Sequence, residues 1–87
     1  MTKKIISEKI EKCIHGYRIE YVMQRDDESY PAVRGIATLY QYSDVVNKVE
    51  CLYTPRICAD YIDCRADLRN LVLQGVGYEC RDLRAVL

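Results

Sequence analysis

Thr54-Pro55-Arg56-Ile57-Cys58-Ala59-Asp60-Tyr61-Ile62-Asp63-Cys64-Arg65-Ala66-Asp67-Leu68-Arg69-Asn70-Leu71-Val72-Leu73-Gln74-Gly75 is the stretch on which the reading of the fold turns. Thr54 is a good helix N-cap, and Pro55 suits the first helical position, where its missing N–H donor is not needed. Ile57, Tyr61, Cys64, Leu68, Leu71 and Val72 then step by 4, 3, 4, 3 and 1. At helical pitch these side chains cover an arc of roughly 100°, one core-facing stripe. Gln74-Gly75-Val76-Gly77 stops the run, glycine being common just past a helix C-terminus. The spacing predicts an amphipathic helix over 55–74 that packs on a small sheet.

Upstream of that helix the period changes to two. Tyr17, Ile19, Tyr21 and Met23 alternate with polar or charged residues at 18 and 20, which predicts a half-buried strand. Residues 25–31 read as a polar, Pro-containing loop. Residues 33–42 predict a second strand, with Ile36, Thr38, Tyr40 and Tyr42 on one face. Val49, Cys51 and Tyr53 predict a third; the competing reading is a helix capped by Ser43. At the start of the chain Ile6, Ile10, Cys13 and Ile14 recur at helical spacing and predict a first helix over residues 3–14, with a hairpin turning at His15-Gly16 as the competing reading. Residues 78–87 return as a strand or as a last helical turn through Leu83, Val86 and Leu87.

The expected order is α-β-β-β-α-β. That is an α+β fold, with an antiparallel sheet of three to four strands and two helices packed on one face. The first five elements share their order with double-stranded-RNA-binding domains. Those domains begin their last helix with lysines, where this chain has Arg56, Asp60 and Asp63, so no family is assigned.

With 87 residues, 49% hydrophobic and 30% charged, the chain suits one globular domain spanning 1–87. Thirteen basic and 13 acidic side chains cancel. That balance lowers the expectation of nucleic-acid binding, which rests on neutralising phosphates. The N-terminus has positive charge but no apolar core, so it does not read as a signal peptide, and no apolar run approaches a membrane span. The expected compartment is the cytoplasm. There the five cysteines read as reduced thiols, mostly small buried hydrophobes. All eight aromatic residues are tyrosines, whose hydroxyls favour the rim of a core or an interface.

No catalytic, metal or cofactor motif stands out. The cysteines at 13, 51, 58, 64 and 80 include no C-x-x-C pair, and there is one histidine, His15. Cys58 and Cys64, six apart on a helix, would point in different directions. The four glycines open no phosphate-binding loop. On the helical wheel, Asp60, Asp63 and Asp67 form an acidic row. Ala59, Ile62, Ala66 and Leu73 form an apolar strip opposite the core stripe, where a surface helix should be polar. Asp60, Ile62, Asp63, Asp67 and Leu73 are therefore the expected partner-binding residues, either for another protein or for a second copy of this chain.

By elimination the sequence points to a non-enzymatic protein-binding module without cofactors. The expected class is an inhibitor or adaptor of the kind encoded by phages and mobile elements, such as anti-CRISPR or anti-restriction proteins. Two alternatives are a nucleic-acid binder using Arg65, Arg69, Arg81 and Arg84, and a Cys-dependent enzyme using Cys80 or Cys13 with His15.

Overall fold

A computed structural model describes residues 4–25, 32–77 and 83–86. Four strands form one antiparallel meander in chain order: β1 (Lys4–Lys12), β2 (Tyr17–Arg25), β3 (Val33–Gln41) and β4 (Asp44–Tyr53). Among the described residues a single α-helix, α1 (Arg65–Leu73), lies across one face. The sheet matches the expected antiparallel class, but the order is β-β-β-β-α. The expected two-helix order α-β-β-β-α-β is not what the chain adopts.

The central strands follow their period-two pattern. Tyr17, Ile19, Tyr21 and Met23 of β2, with Val33, Ala37 and Leu39 of β3, are buried on the helix side. The opposite face is mixed, with charged residues set among Val22, Ile36 and Leu52. Arg18 bonds Glu20 at 2.9 Å and stacks 4.1 Å from the centre of the Tyr40 ring, and Arg34 faces Glu50. One buried and one solvated face is the ordinary arrangement of an antiparallel sheet. Of the two readings of residues 43–53, the strand is the observed one.

The N-terminal helix expected over residues 3–14 is absent. β1 runs there instead, paired with β2 from Lys4↔Arg25 to Lys12↔Arg18 with one bulge between Ile5 and Ser7. The helical spacing misled because Ile5, Ile6 and Ile10 are surface residues, not a core stripe. The competing hairpin reading is the one realised. A 3₁₀ turn at Ile14–Gly16 joins β1 to β2, with His15 and Gly16 both in the left-handed region. Glycine suits position 16, where φ is positive and a Cβ would run into the Tyr42 ring; the Tyr42 backbone N–H donates to the Gly16 carbonyl at 2.8 Å.

The helix expected over 55–74 is half the anticipated length. Thr54 does not cap it; its carbonyl accepts the N–H groups of Ile57 and Cys58, closing an isolated turn. Residues 55–57 and 59–62 are turns, and 58, 63 and 64 are irregular. Pro55, Ile57, Cys58, Asp60, Tyr61, Ile62, Asp63 and Cys64 are poor helix formers, whereas Arg65, Ala66, Leu68, Arg69, Leu71 and Leu73 include the better ones. The helix ends as expected, with Gly75 in the left-handed conformation after Gln74. Asn47 of β4 donates to the Val72 carbonyl at 2.9 Å and satisfies one free group of the last turn.

Leu68 and Val72 seat the helix on the sheet. A Cβ on Gly35 of β3 would lie 2.9 Å from Leu68 Cδ1 and 2.8 Å from Tyr53 Cε2, so the helix rests directly on glycine backbone. Of the expected stripe, Cys64, Leu68 and Val72 are buried, while Ile57, in the turns, is 68% exposed. In the C-terminal segment Leu83 is buried and Ala85 makes one antiparallel bridge with Cys13. Neither the expected strand nor the helical turn forms over 83–86; residues 78–82 and 87 lie outside the described residues, as do 26–31 of the expected loop.

Candidate protein-binding edge

β1 is an edge strand, and its backbone shows which residues face outward. The Cys13 N–H turns inward to the Tyr17 carbonyl at 2.8 Å. Its neighbours turn outward: the Lys12 carbonyl accepts from Val86 at 2.7 Å, and the Ile14 N–H donates to Arg84 at 3.1 Å. Alternation along an antiparallel strand then aims the N–H and C=O groups of Glu8 and Ile10 away from the sheet. The C-terminal segment covers this edge at residues 12–14; no described segment pairs with it at residues 4–10.

Three isoleucines are exposed along this stretch, among lysines and Glu8. Ile5 is 54%, Ile6 37% and Ile10 63% exposed. The turns before α1 bring Ile62, 42% exposed, to the same side. Lys4, Ile5, Ile6, Arg25 and Ile62 line a groove of about 330 Å³ at the start of β1. A larger groove of about 580 Å³ follows β1 toward its end, with Lys9, Glu11, Tyr21, Asp63, Arg65 and Arg69 among its walls.

A half-buried polar network forms the floor of the larger groove. Arg69 Nε donates to Glu11 Oε2 at 3.0 Å, and Tyr21 donates its hydroxyl to Glu11 Oε1 at 2.9 Å. The Cys13 thiol lies 3.5 Å from the same carboxylate, and Arg69 also bonds the Leu83 carbonyl. Arg69 thus ties the helix, the edge strand and the C-terminal segment together. Burial alone would push the Glu11 carboxyl up, but the hydrogen bonds from Arg69 and Tyr21 and the Arg69 charge outweigh it and hold Glu11 below its ordinary value. Burial and the Glu11 charge push the Cys13 thiol up to about 11 and raise the Tyr21 hydroxyl as well. At neutral pH this network is a carboxylate held by protonated donors. Cys13 is a thiol there, not the thiolate that nucleophilic chemistry needs.

The residues expected to bind a partner do not share a face. Leu73 is 5% exposed and belongs to the core, a correction: it is the last residue of the helix, where it joins the cluster of Leu68 and Val72 and the chain beyond, at Val76, packs against that cluster. Asp60 and Asp63 lie before α1, so no acidic row runs along the helix. Arg65 clamps Asp63 through two bonds of 2.9 and 3.3 Å and holds its carboxyl below the ordinary range. Asp67 is on α1 and accepts the Tyr53 hydroxyl at 2.6 Å. The apolar strip is broken too, since Ala59 and Ile62 are in turns. Ala59, Ile62 and Ala66 are exposed, and Ile62 lies beside Ile5 and Ile6. Of the four arginines, Arg65 and Arg69 are paired with carboxylates, Arg84 is exposed and Arg81 lies outside the described residues, as does Cys80. Sequence reasoning missed the β1 edge. The signal was Ile5, which the helical stripe of Ile6, Ile10, Cys13 and Ile14 left unused.

Among the described residues, no group of three or more His, Cys, Asp or Glu is placed to hold a metal ion, and no helix is long and apolar enough to cross a membrane. No family model, no curated protein and no solved structure matches this chain.

Proposed function

We propose that this chain is a non-enzymatic protein-binding module that accepts an extended segment of a partner protein along β1. The observation that carries the reading is the β1 edge at residues 4–10, with which no segment among the described residues pairs, with outward backbone groups at Glu8 and Ile10 and three exposed isoleucines. Such an edge templates another strand. Strand addition draws affinity from main-chain hydrogen bonds and specificity from alternate side chains in adjacent grooves. The C-terminal segment already uses the mode, docking antiparallel at Cys13. The matching partner is an extended segment with apolar side chains at alternate positions, set against Ile10 at one end and Ile5, Ile6 and Ile62 at the other. An inhibitor or adaptor working by contact alone fits these features.

A second copy is the weaker occupant. Two β1 strands would match best about Ile10, setting Glu8 against Lys12 and Lys9 against Glu11 of the other copy. That register needs the Lys12 carbonyl, which Val86 occupies, and the Glu11 carboxylate, which Arg69 holds.

The test is Ile10→Pro. Its missing N–H is one that faces away from β2, so the sheet keeps its hydrogen bonds while the edge loses a donor and gains a ring. A partner captured from the native host, then purified and remixed, should bind wild type and lose at least tenfold in affinity for the variant. The Glu8 and Ile10 amides should gain exchange protection in the complex. A partner that binds both proteins equally, or protects other amides, refutes the edge. A wild-type dimer that Ile10→Pro dissociates would give the edge to a second copy.

A further inference from the structure

Away from the β1 edge, the turns that replace the first half of the expected helix bring two cysteines together. On a helix, residues 58 and 64 would diverge. In the observed turns, Cys64 Sγ lies 2.8 Å from Cys58 Sγ and 3.2 Å from the Asp60 carbonyl. Cys64 is buried at the start of α1 and Cys58 is half-buried against the core. The sulfurs are already closer than ordinary non-bonded contact, and a bond of about 2.05 Å needs them to close by under an ångström. Tertiary packing therefore holds the pair near bonding geometry, while Cys13 is engaged with Glu11 on another part of the sheet.

We propose that Cys58 and Cys64 form a redox-active dithiol that a low-molecular-weight disulfide oxidises to an intramolecular disulfide. Cys58 is the more accessible sulfur and reacts first. Its thiolate attacks one sulfur of the small disulfide, forming a mixed disulfide and expelling one small thiolate, which takes up the proton that Cys58 released. Cys64 then gives up its proton and attacks Cys58 Sγ. The Cys58–Cys64 bond forms, the mixed disulfide breaks, and the second small thiol leaves. Two protein thiols are oxidised and one small disulfide is reduced to two thiols. Burial and the contact with Cys58 push the Cys64 thiol up to about 12, which suits the resolving position and not the attacking one.

The product closes a short loop and fixes the turn that leads into α1. It requires no rearrangement of the sheet. The reaction is independent of whether a partner occupies β1.

The experiment uses the intact chain in glutathione buffers of graded redox poise, quenched with an alkylating agent and digested with trypsin. Cleavage after Arg56 and Arg65 places both cysteines on one peptide, residues 57–65. The expected product is that peptide, two hydrogens lighter and unalkylated, from monomeric protein, with Cys13 and Cys51 alkylated. Repeating the titration in denaturant should lower the equilibrium constant for closure by roughly tenfold or more, because the fold holds the pair together. Cys64→Ser should stop the reaction at a stable Cys58–glutathione adduct. Two alkyl groups on peptide 57–65 at every poise, a disulfide mapped to another pair, or equal closure in denaturant would overturn the proposal.

Discussion

Replacing Gly35 with alanine tests where the helix sits. An added Cβ would meet Tyr53 Cε2 at 2.8 Å, Leu68 Cδ1 at 2.9 Å and Met23 Sδ at 3.2 Å. Overpacking of this kind costs about 1–3 kcal/mol. Relief of glycine's excess chain entropy returns about 0.5–1 kcal/mol. The net loss expected for Gly35→Ala is therefore about 0.5–2 kcal/mol. Leu68→Ala deletes three buried carbons, about 2.4 kcal/mol at 0.8 per methylene, and the residual cavity takes the loss to about 3–4 kcal/mol. The two substitutions share one space. In the Leu68→Ala background the Gly35 methyl meets no Cδ1 and fills part of the void. The Tyr53 contact persists, since its hydroxyl is anchored to Asp67. The double variant should thus lose about 1–2 kcal/mol less than the sum of the singles. Urea titrations with a common m-value measure the cycle. A chain of this length has about 4–13 kcal/mol in total, and Leu68→Val replaces Leu68→Ala if the latter leaves no folded baseline. Additivity within about 0.5 kcal/mol would refute the placement of Leu68 over Gly35.

Glu11→Gln removes the charge that holds Arg69 and should cost about 1–2 kcal/mol at neutral pH, measured by the same titrations. The folded-state pKa of Glu11 is depressed, so its stabilisation is present above the unfolded carboxylate value and is lost as pH falls through the folded one. Wild type should lose stability on that acid limb more steeply than Glu11→Gln; parallel limbs would contradict the network. Tyr53→Phe deletes the hydroxyl that bonds Asp67 and should cost about 1 kcal/mol, with a hydrogen-exchange loss focused on the first turn of α1. Uniform loosening would contradict a local role. Closing the Cys58–Cys64 disulfide should raise stability by about 2 kcal/mol from loop entropy, seen as a higher melting temperature for oxidised than for reduced protein, with no such difference in Cys58→Ser.

Much of the sheet is legible in the chain itself. Tyr17, Ile19, Tyr21 and Met23 alternate because one face of β2 meets the core and the other meets water, and that pattern needs no knowledge of neighbours. Gln74-Gly75 marks the helix end for an equally local reason: glycine enters the left-handed region without strain. Of the residues lining the two grooves along β1, the sequence singled out Ile62 and Asp63 for partner binding.

Other features depend on residues far apart in sequence. Glu11 and Arg69 are 58 positions apart, and neither has a spacing signature for the other. Residues 3–14 carry isoleucines at helical spacing, yet nine of them form a strand because β2 offers a continuous ladder. The strand order leaves β1 at the edge, unpaired at residues 4–10 among the described residues, a property of the sheet that periodicity does not encode. The stretch 54–75 divides along the same line. Its helical half follows propensity and its stop signal. In its first half weak helix formers yield to turns that place Cys58, Tyr61 and Cys64 against the core. Local spacing determined the central strands and the end of the helix. Tertiary packing decided β1, the helix start and the meeting of Cys58 with Cys64, because burial and hydrogen bonding across the sheet outweigh the small differences in local preference.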